Sequence, residues 1–281
     1  MEDKSLSPAT IQLYKAQAKI FRALVLFDMV RIYGSIPLIT TIPPDITSDN
    51  IEEVYPLYFP KQSTEKEVYD QIEKDLLEGL AEAPDTKATD KTIFSKAVAK
   101  ALLAKIYAEK TLRDYAKVIQ YVDQLTSDGF ALNTNYGDLY DLTPDNQDLA
   151  QRSTKESILE ANYTPGAGNW ATWMFGRDLT NYNINFTWAK WVTPSRDLIQ
   201  AFENEGDNIR MNQSIVYYTT TWSNYYPSSN YPFMFKLRSG MSSIIKIRYA
   251  DLLLLKAEAL IMQNSSNFTA AAEIIDKVRE R

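Results

Sequence analysis

FSKAVAKALLAKIYAEK, residues Phe94 to Lys110, mixes small and large side chains at helical spacing. Ser95 is placed to cap the helix, and Ala97, Ala101, Leu102, Ala104, Lys105 and Tyr107 give the mixture that lets neighbouring helices approach closely. A partner helix is predicted from about Asp114 to Ser127, stopped by Gly129. The two would form an antiparallel pair of about 34 residues, the size of a tetratricopeptide unit. A second pair is read near the C-terminus, Ile247 to Met262 and Thr269 to Arg281, split by the polar break NSSN. There Ala257, Ala259 and Ala270 to Ala272 provide the small contact residues.

Upstream, Ser7 and Pro8 make an N-cap and first-position pair for a helix running to Tyr33, where Gly34 stops it. Its apolar face is read as Ile11, Tyr14, Ala18, Phe21, Leu24 and Val25. Residues 35–63 carry five prolines, which predicts an ordered or surface loop without regular helix. Thr64 and Glu67 have capping-box spacing ahead of the stripe Val68, Ile72, Leu76, Leu77 and Leu80, a helix expected to end near Pro84.

Composition narrows the chemistry. The 281 residues carry a net charge of −6 and no run of clustered Lys and Arg, which argues against a nucleic-acid binder. Cysteine and histidine are both absent. Disulfides, thiolate nucleophiles, histidine-based triads and the usual zinc ligand sets are therefore excluded, and only carboxylate, Lys or Tyr chemistry would remain for an enzyme. No apolar run is long enough to span a bilayer.

From about Leu132 to Met241 the texture changes to Asn, Ser, Thr, Tyr and Trp without a sustained period. Within this insertion, Thr193 and Pro194 start a short helix to Phe202, and SIVYYTTT and PFMFKLR read as strands of a hairpin around YYPSSNYP. All five tryptophans fall between Trp170 and Trp222, and half of the chain's aromatic residues lie in Tyr163 to Phe235, a quarter of its length. Two causes fit. A loop-rich insertion without aliphatic periodicity can use aromatics to fasten itself down, because each buries about 150–250 Å². Alternatively the rings form a platform for a ligand with flat apolar faces and many hydroxyls, such as a sugar, with Asn169, Asn181, Asn183, Asn185, Arg177 and Asp178 interleaved to bind the polar groups.

Carboxylates are also available nearby, at Asp141, Asp145, Asp148, Asp178, Asp197 and Glu203, and a glycosidase needs only two at a set separation. The simpler reading is solvated loop charge and helix first-turn residues. DLYDLTPDNQD lacks the glycine and terminal glutamate of an EF-hand and is read as a polar loop.

Three stretches together carry a family resemblance: RALVLFDMVRIYGSIPLIT (Arg22 to Thr40), FSKAVAKALLAKIYAEK and KIRYADLLLLKAEALI (Lys246 to Ile261). In this order and spacing the chain resembles the SusD/RagB family of outer-membrane nutrient-binding lipoproteins. EVYDQIEKDLLEGLAEAP, FALNTNYGDLYD and SRDLIQAFENEGDNIR agree with it. Family members extend further at both ends, with a signal peptide and a lipidated cysteine ahead, so the chain resembles a central fragment.

The resemblance implies a mainly α, tetratricopeptide-like scaffold (7–131 and 244–281) within a single domain spanning 1–281, with a loop-rich, minor-β ligand-binding insertion (132–243). It implies noncatalytic capture of oligosaccharides at the extracellular face of an outer membrane, where a lipid anchor absent from this chain would hold the protein beside a SusC-like TonB-dependent transporter. No cofactor, metal or nucleic acid is expected. Trp188 and Trp191, just ahead of the Thr193 helix, and Trp170 and Trp173 are the first candidates for stacking on sugar; Tyr182, Trp222, Tyr225 and Tyr226 come second, with Asn169, Arg177 and Asn183 for hydroxyls. The alternatives are a helical-repeat interaction module whose aromatics are packing or partner contact, and a peptide-capturing member of the same family. Arg248, Asp251 and Glu258 are expected to make intramolecular polar contacts.

Overall fold

The structure, a computed structural model, describes residues 5–85, 90–145, 148–164, 168, 192–221 and 223–281. Among these it contains nine α-helices and four short strands. The chain divides into two compact units: Met1–Ala88 with Ile93–Gly129 and Leu252–Ala272, and Thr89–Thr92 with Phe130–Asp251 and Glu273–Arg281.

The first unit is helical. Helix α1 (Pro8–Tyr33) starts where Ser7 Oγ accepts from the Thr10 N–H and ends at Gly34, whose φ of +71° suits glycine. The buried face of α1 is Ala16, Ile20, Ala23, Leu24, Leu26, Phe27 and Val30, which shares only Leu24 with the stripe read from the sequence; Tyr14, Phe21 and Val25 are exposed. Apolar residues surround this helix, so more than one stripe fits the helical period. The stripe that wins is the one with small residues. At Gly79 of α3 (Glu65–Glu82) an added Cβ would lie 2.7 Å from Ile20 Cγ1 and 3.1 Å from the Ala16 carbonyl oxygen, so α1 and α3 meet almost backbone to backbone.

A half-buried ion pair joins the same two helices. Arg22 Nε and Nη2 donate to both oxygens of Asp75, at 2.7 and 2.6 Å, and Gln71 Nε2 adds a third bond at 2.9 Å. The hydrogen bond to Asp75 raises the Arg22 pKa against the effect of burial. Thr64 and Glu67 form the expected capping box.

In the proline-rich loop the structure departs from expectation, because α2 (Ile51–Tyr58) forms there around Pro56. Pro56 removes one helical donor, and the helix ends within two residues. Antiparallel bridging of Pro37 to Gln62, together with the Ser63 N–H bond to the Ile36 carbonyl, ties the ends of the loop together.

Helices α4 (Lys96–Ala108) and α5 (Tyr115–Ser127) form the expected helix pair, with Ala97, Ala101, Leu102 and Ala104 facing a core that also holds Val118, Val122 and Leu125. Ser95 occupies the N-cap position of α4 without a side-chain capping bond, whereas Asp114 caps α5 through Lys117 N. Lys256 of the C-terminal part of this unit pairs with Asp123 of α5.

The second unit is built on two small antiparallel sheets. β1 (Ser157–Ala161) pairs with β4 (Ile244–Arg248), and β2 (Ile215–Tyr218) with β3 (Tyr231–Met234). The expected hairpin is β2–β3. Neither β1 nor β4 was read from the sequence. Ile247 belongs to β4, and the helix expected from Ile247 begins two residues later as α8 (Tyr249–Gln263). Helices α6 (Arg196–Glu205) and α7 (Asn208–Ser214) precede the hairpin; α9 (Phe268–Arg279) closes the chain.

Glu156 is the polar centre of this second unit. It is fully buried, bonded by both terminal nitrogens of Arg281 and by the Asn133 N–H at 2.9 Å, and paired with Arg248 at 3.5 Å. Arg238, also buried, reaches Asp141, Gln213 and the Phe235 carbonyl. Buried charges held in this way have their desolvation cost met by several partners at once. Among the described residues no helix is long and apolar enough to cross a membrane.

Candidate functional site

The site grows out of the β2–β3 hairpin. Along β3, Tyr231 and Phe233 are almost fully buried, with Val216, Tyr218 and Tyr226 packed against them. The rings form a continuous run: Tyr218 meets Phe233 at 5.9 Å, Phe233 meets Tyr231 at 5.6 Å, Tyr231 meets Tyr226 at 5.6 Å, and Tyr226 meets Tyr225 at 4.9 Å. Most of these pairs are edge-on, the arrangement that the ring quadrupoles favour. The run begins in the core and ends in water, since Tyr225 is 51% exposed.

Local chemistry explains why Tyr225 is held in place rather than loose. Tyr226 donates its hydroxyl to the Pro194 carbonyl at 2.6 Å, and the partly buried phenol is pushed to higher pKa by desolvation. Helix α6 starts at Arg196, not at Thr193, because Ser195 is the residue whose side chain accepts from a first-turn N–H, that of Leu198 at 3.1 Å. Pro194 therefore precedes the cap, and its carbonyl is left for Tyr226. The Arg196 guanidinium carbon then lies 4.5 Å from the Tyr225 ring centre and 5.3 Å from that of Tyr226, and its Nη2 donates to the Tyr225 carbonyl.

Of the residues expected to bind, Tyr225 and Tyr226 are thus brought together at one end of the hairpin. Asn169, Trp170, Trp173, Arg177, Tyr182, Asn183, Trp188, Trp191 and Trp222 lie outside the described residues. In sequence, Trp191 stands five positions ahead of Arg196. Arg196 itself was missed, although it stands in the quoted stretch SRDLIQAFENEGDNIR; nothing local distinguishes an arginine that stacks on a ring 29 residues away from one on a solvated helix.

A second aromatic group, Tyr136 and Tyr140, sits at 5.5 Å edge-on among cations. Lys236, Arg248 and Arg281 each approach the Tyr136 ring to 5.7–5.8 Å. Burial pushes the Tyr136 phenol up, but the Lys236 ammonium, hydrogen bonds from Tyr140 and Lys236, and Arg248 outweigh it and hold it at about 8. Tyr140, buried beside it, is pushed up. Of the carboxylates weighed for hydrolysis, Asp178 lies outside the described residues, and Asp141, Asp148 and Asp145 are engaged by neighbours. Arg238 takes Asp141, Arg152 takes Asp148, and Thr143 donates to Asp145.

The fold matches a SusD superfamily protein from Bacteroides fragilis NCTC 9343 with a TM-score of 0.72 at 19% identity, over 99% of this chain and 61% of that one. A laminarin-binding SusD-like protein matches at 0.71 and 23% identity over 99% and 65%, and a structure determined with xylogluco-oligosaccharide at 0.71 and 22% over 99% and 60%. The chain therefore spans about three fifths of the length of the solved structures it matches. A family model described as "Starch-binding associating with outer membrane" matches residues 1–108, and the SusD family model matches 238–281. Both ends of the chain are thus similar to SusD-type family models, and its fold is that of the SusD superfamily structures. No curated protein matches it.

Proposed function

We propose that the chain captures glycans without cleaving them, as the binding component of an outer-membrane uptake system whose partner is a TonB-dependent transporter. The observation that carries this reading is the aromatic run that is anchored in the core at Tyr231 and Phe233 and presents Tyr225 to solvent. An open ring on a fixed base offers a face on which a sugar ring can stack at little entropic cost. Engagement of Asp141 and Asp148 by arginines favours binding over carboxylate hydrolysis. Similarity of residues 1–108 to the starch-binding family model, a laminarin-binding structural relative and one solved with xylogluco-oligosaccharide support the same class of ligand. In this reading Trp170, Trp173, Trp188, Trp191 and Trp222 join Tyr182, Tyr225 and Tyr226 as stacking surfaces, with Asn169, Arg177 and Asn183 on hydroxyls.

Intrinsic tryptophan fluorescence tests it, because every tryptophan lies between Trp170 and Trp222. Titration with laminarin and xyloglucan oligosaccharides and with uronic-acid oligosaccharides should give a saturable shift with one glycan class and no release of reducing sugar. A flat response across that panel from folded protein, with no calorimetric heat, overturns the proposal.

A further inference from the structure

Arg196 differs from its peers. Among the described arginines, every other one except Arg113 pairs with a carboxylate, Arg248 and Arg281 sharing Glu156. Arg196 has no carboxylate partner among the described residues. Its positive charge is held instead over the rings of Tyr225 and Tyr226 and against the Tyr225 carbonyl. Both Arg196 and Tyr225 are exposed.

Each of these contacts holds the guanidinium without neutralising it. The carbonyl takes an N–H of Nη2, and a guanidinium carries five N–H donors, so donors remain for a ligand beside the half-exposed ring. The nearest acid in sequence, Asp197, lies in the first turn of α6, where it complements the helix N-terminus. A half-exposed ring with an uncompensated cation held over it matches a sugar ring that carries an anionic group. The apolar face of the sugar would lie on Tyr225, and its anion would take charge-assisted bonds from Arg196. The chain's net charge of −6 does not oppose this at close range, because exposed charges further than about 8–10 Å away are screened at physiological salt while a contact pair is not.

We propose that Arg196 and Tyr225 form a subsite for an acidic sugar, a uronate or a sulfated residue, and that the glycan captured here is anionic. The inference rests on the glycan-binding reading above and narrows it.

Calorimetric titration compares the wild-type protein with the Arg196→Gln, Arg196→Lys and Arg113→Gln variants. The probes are oligogalacturonate, a sulfated oligosaccharide and a neutral laminari-oligosaccharide of matched length, each at low and physiological salt. Expected are binding of an acidic probe that weakens with salt, a loss of about tenfold in Arg196→Gln, an intermediate loss in Arg196→Lys, which keeps the charge but not the planar fork, and none in Arg113→Gln. The two acidic arms separate carboxylate from sulfate ester. Because Arg196 is exposed, unchanged circular dichroism is expected for its variants, and an effect on binding reads the site rather than folding. Equal or tighter binding of the neutral probe, or acidic binding untouched by Arg196→Gln, overturns the subsite while leaving glycan capture standing. Absence of binding to every probe removes both readings together.

Discussion

In the helical unit, Tyr69 and Tyr107 lie among packed helices, and burial drives both phenols upward, Tyr69 to about 12. In the other unit Tyr136 is as buried as Tyr69, yet surrounding cations hold it at about 8. The contrast reflects how each unit is held together. The helices close on a repeating stripe of small and branched side chains such as Ile20, Ile72, Leu102 and Val122, so their core is apolar and periodic. The second unit has few long elements to supply such a stripe. It closes on individual polar centres, Glu156 and Arg238, and on a run of aromatic rings. A unit held at points in this way can leave one end of its aromatic run open to solvent.

The contrast breaks first at Glu156. Glu156→Ala leaves Arg281, Arg248 and the Asn133 N–H facing a buried space without their acceptor, and removing one partner of a buried charge cluster costs about 3–5 kcal/mol. Chemical denaturation followed by tryptophan emission, which reports residues 170–222, should show a midpoint far below that of the wild type. A midpoint within error of the wild type would mean that the second unit does not rest on this polar centre.

The next effect lies within the aromatic run. Tyr231→Ala removes a ring at 2% exposure from the hairpin cluster and should cost about 3 kcal/mol. The same midpoint measurement checks it. A loss below about 1 kcal/mol would show that the inner rings are not anchors.

Titration sharpens the comparison of tyrosines. Tyr136 has a folded pKa near 8, below its unfolded value of about 10. Its contribution to stability is therefore fully present above about pH 10 and lost as pH falls through 8. Tyr69 is raised, so its contribution is present below about pH 10 and lost as pH rises through about 12. Phenolate absorbance should accordingly show one early step near pH 8 that Tyr136→Phe abolishes, with Tyr69 and Tyr107 ionising only well above it. An early step that survives in Tyr136→Phe belongs to another residue and removes the cation cage as its cause.

How much of this could be read in the sequence follows the same division. Ser7, Gly34, Thr64 with Glu67, and Asp114 mark helix ends through contacts within four residues, and they are legible because capping is local. The face of α1 was misread because Tyr14 and Phe21 satisfy the helical period as well as Ala16 and Ala23 do, and only the close approach at Gly79 decides between them. β1 escaped because five residues that include a buried Glu160 show no alternation, and the isoleucines of β4 run directly into a helix. Glu156 finds Arg281 across 125 positions, and Arg196 finds Tyr225 across 29; no local spacing records either. In the candidate site the aromatic enrichment was visible, but not which ring faces the core and which faces water.

The smallest effect separates the two ends of that run. Tyr225→Ala removes a ring that is half in water and whose principal neighbours are Arg196 and Tyr226, so folding stability should change by no more than about 0.5 kcal/mol. Glycan affinity should fall severalfold, about 1 kcal/mol for the loss of one stacked ring. Tyr231→Ala should reverse the pattern, lowering stability by several times as much and changing affinity only through the fraction folded. Measuring both quantities on both variants places the boundary between anchor and platform within the seven residues from Tyr225 to Tyr231. If Tyr225→Ala costs stability like Tyr231→Ala and leaves affinity unchanged, the whole run is packing, and the glycan-binding surface must be sought among the tryptophans alone.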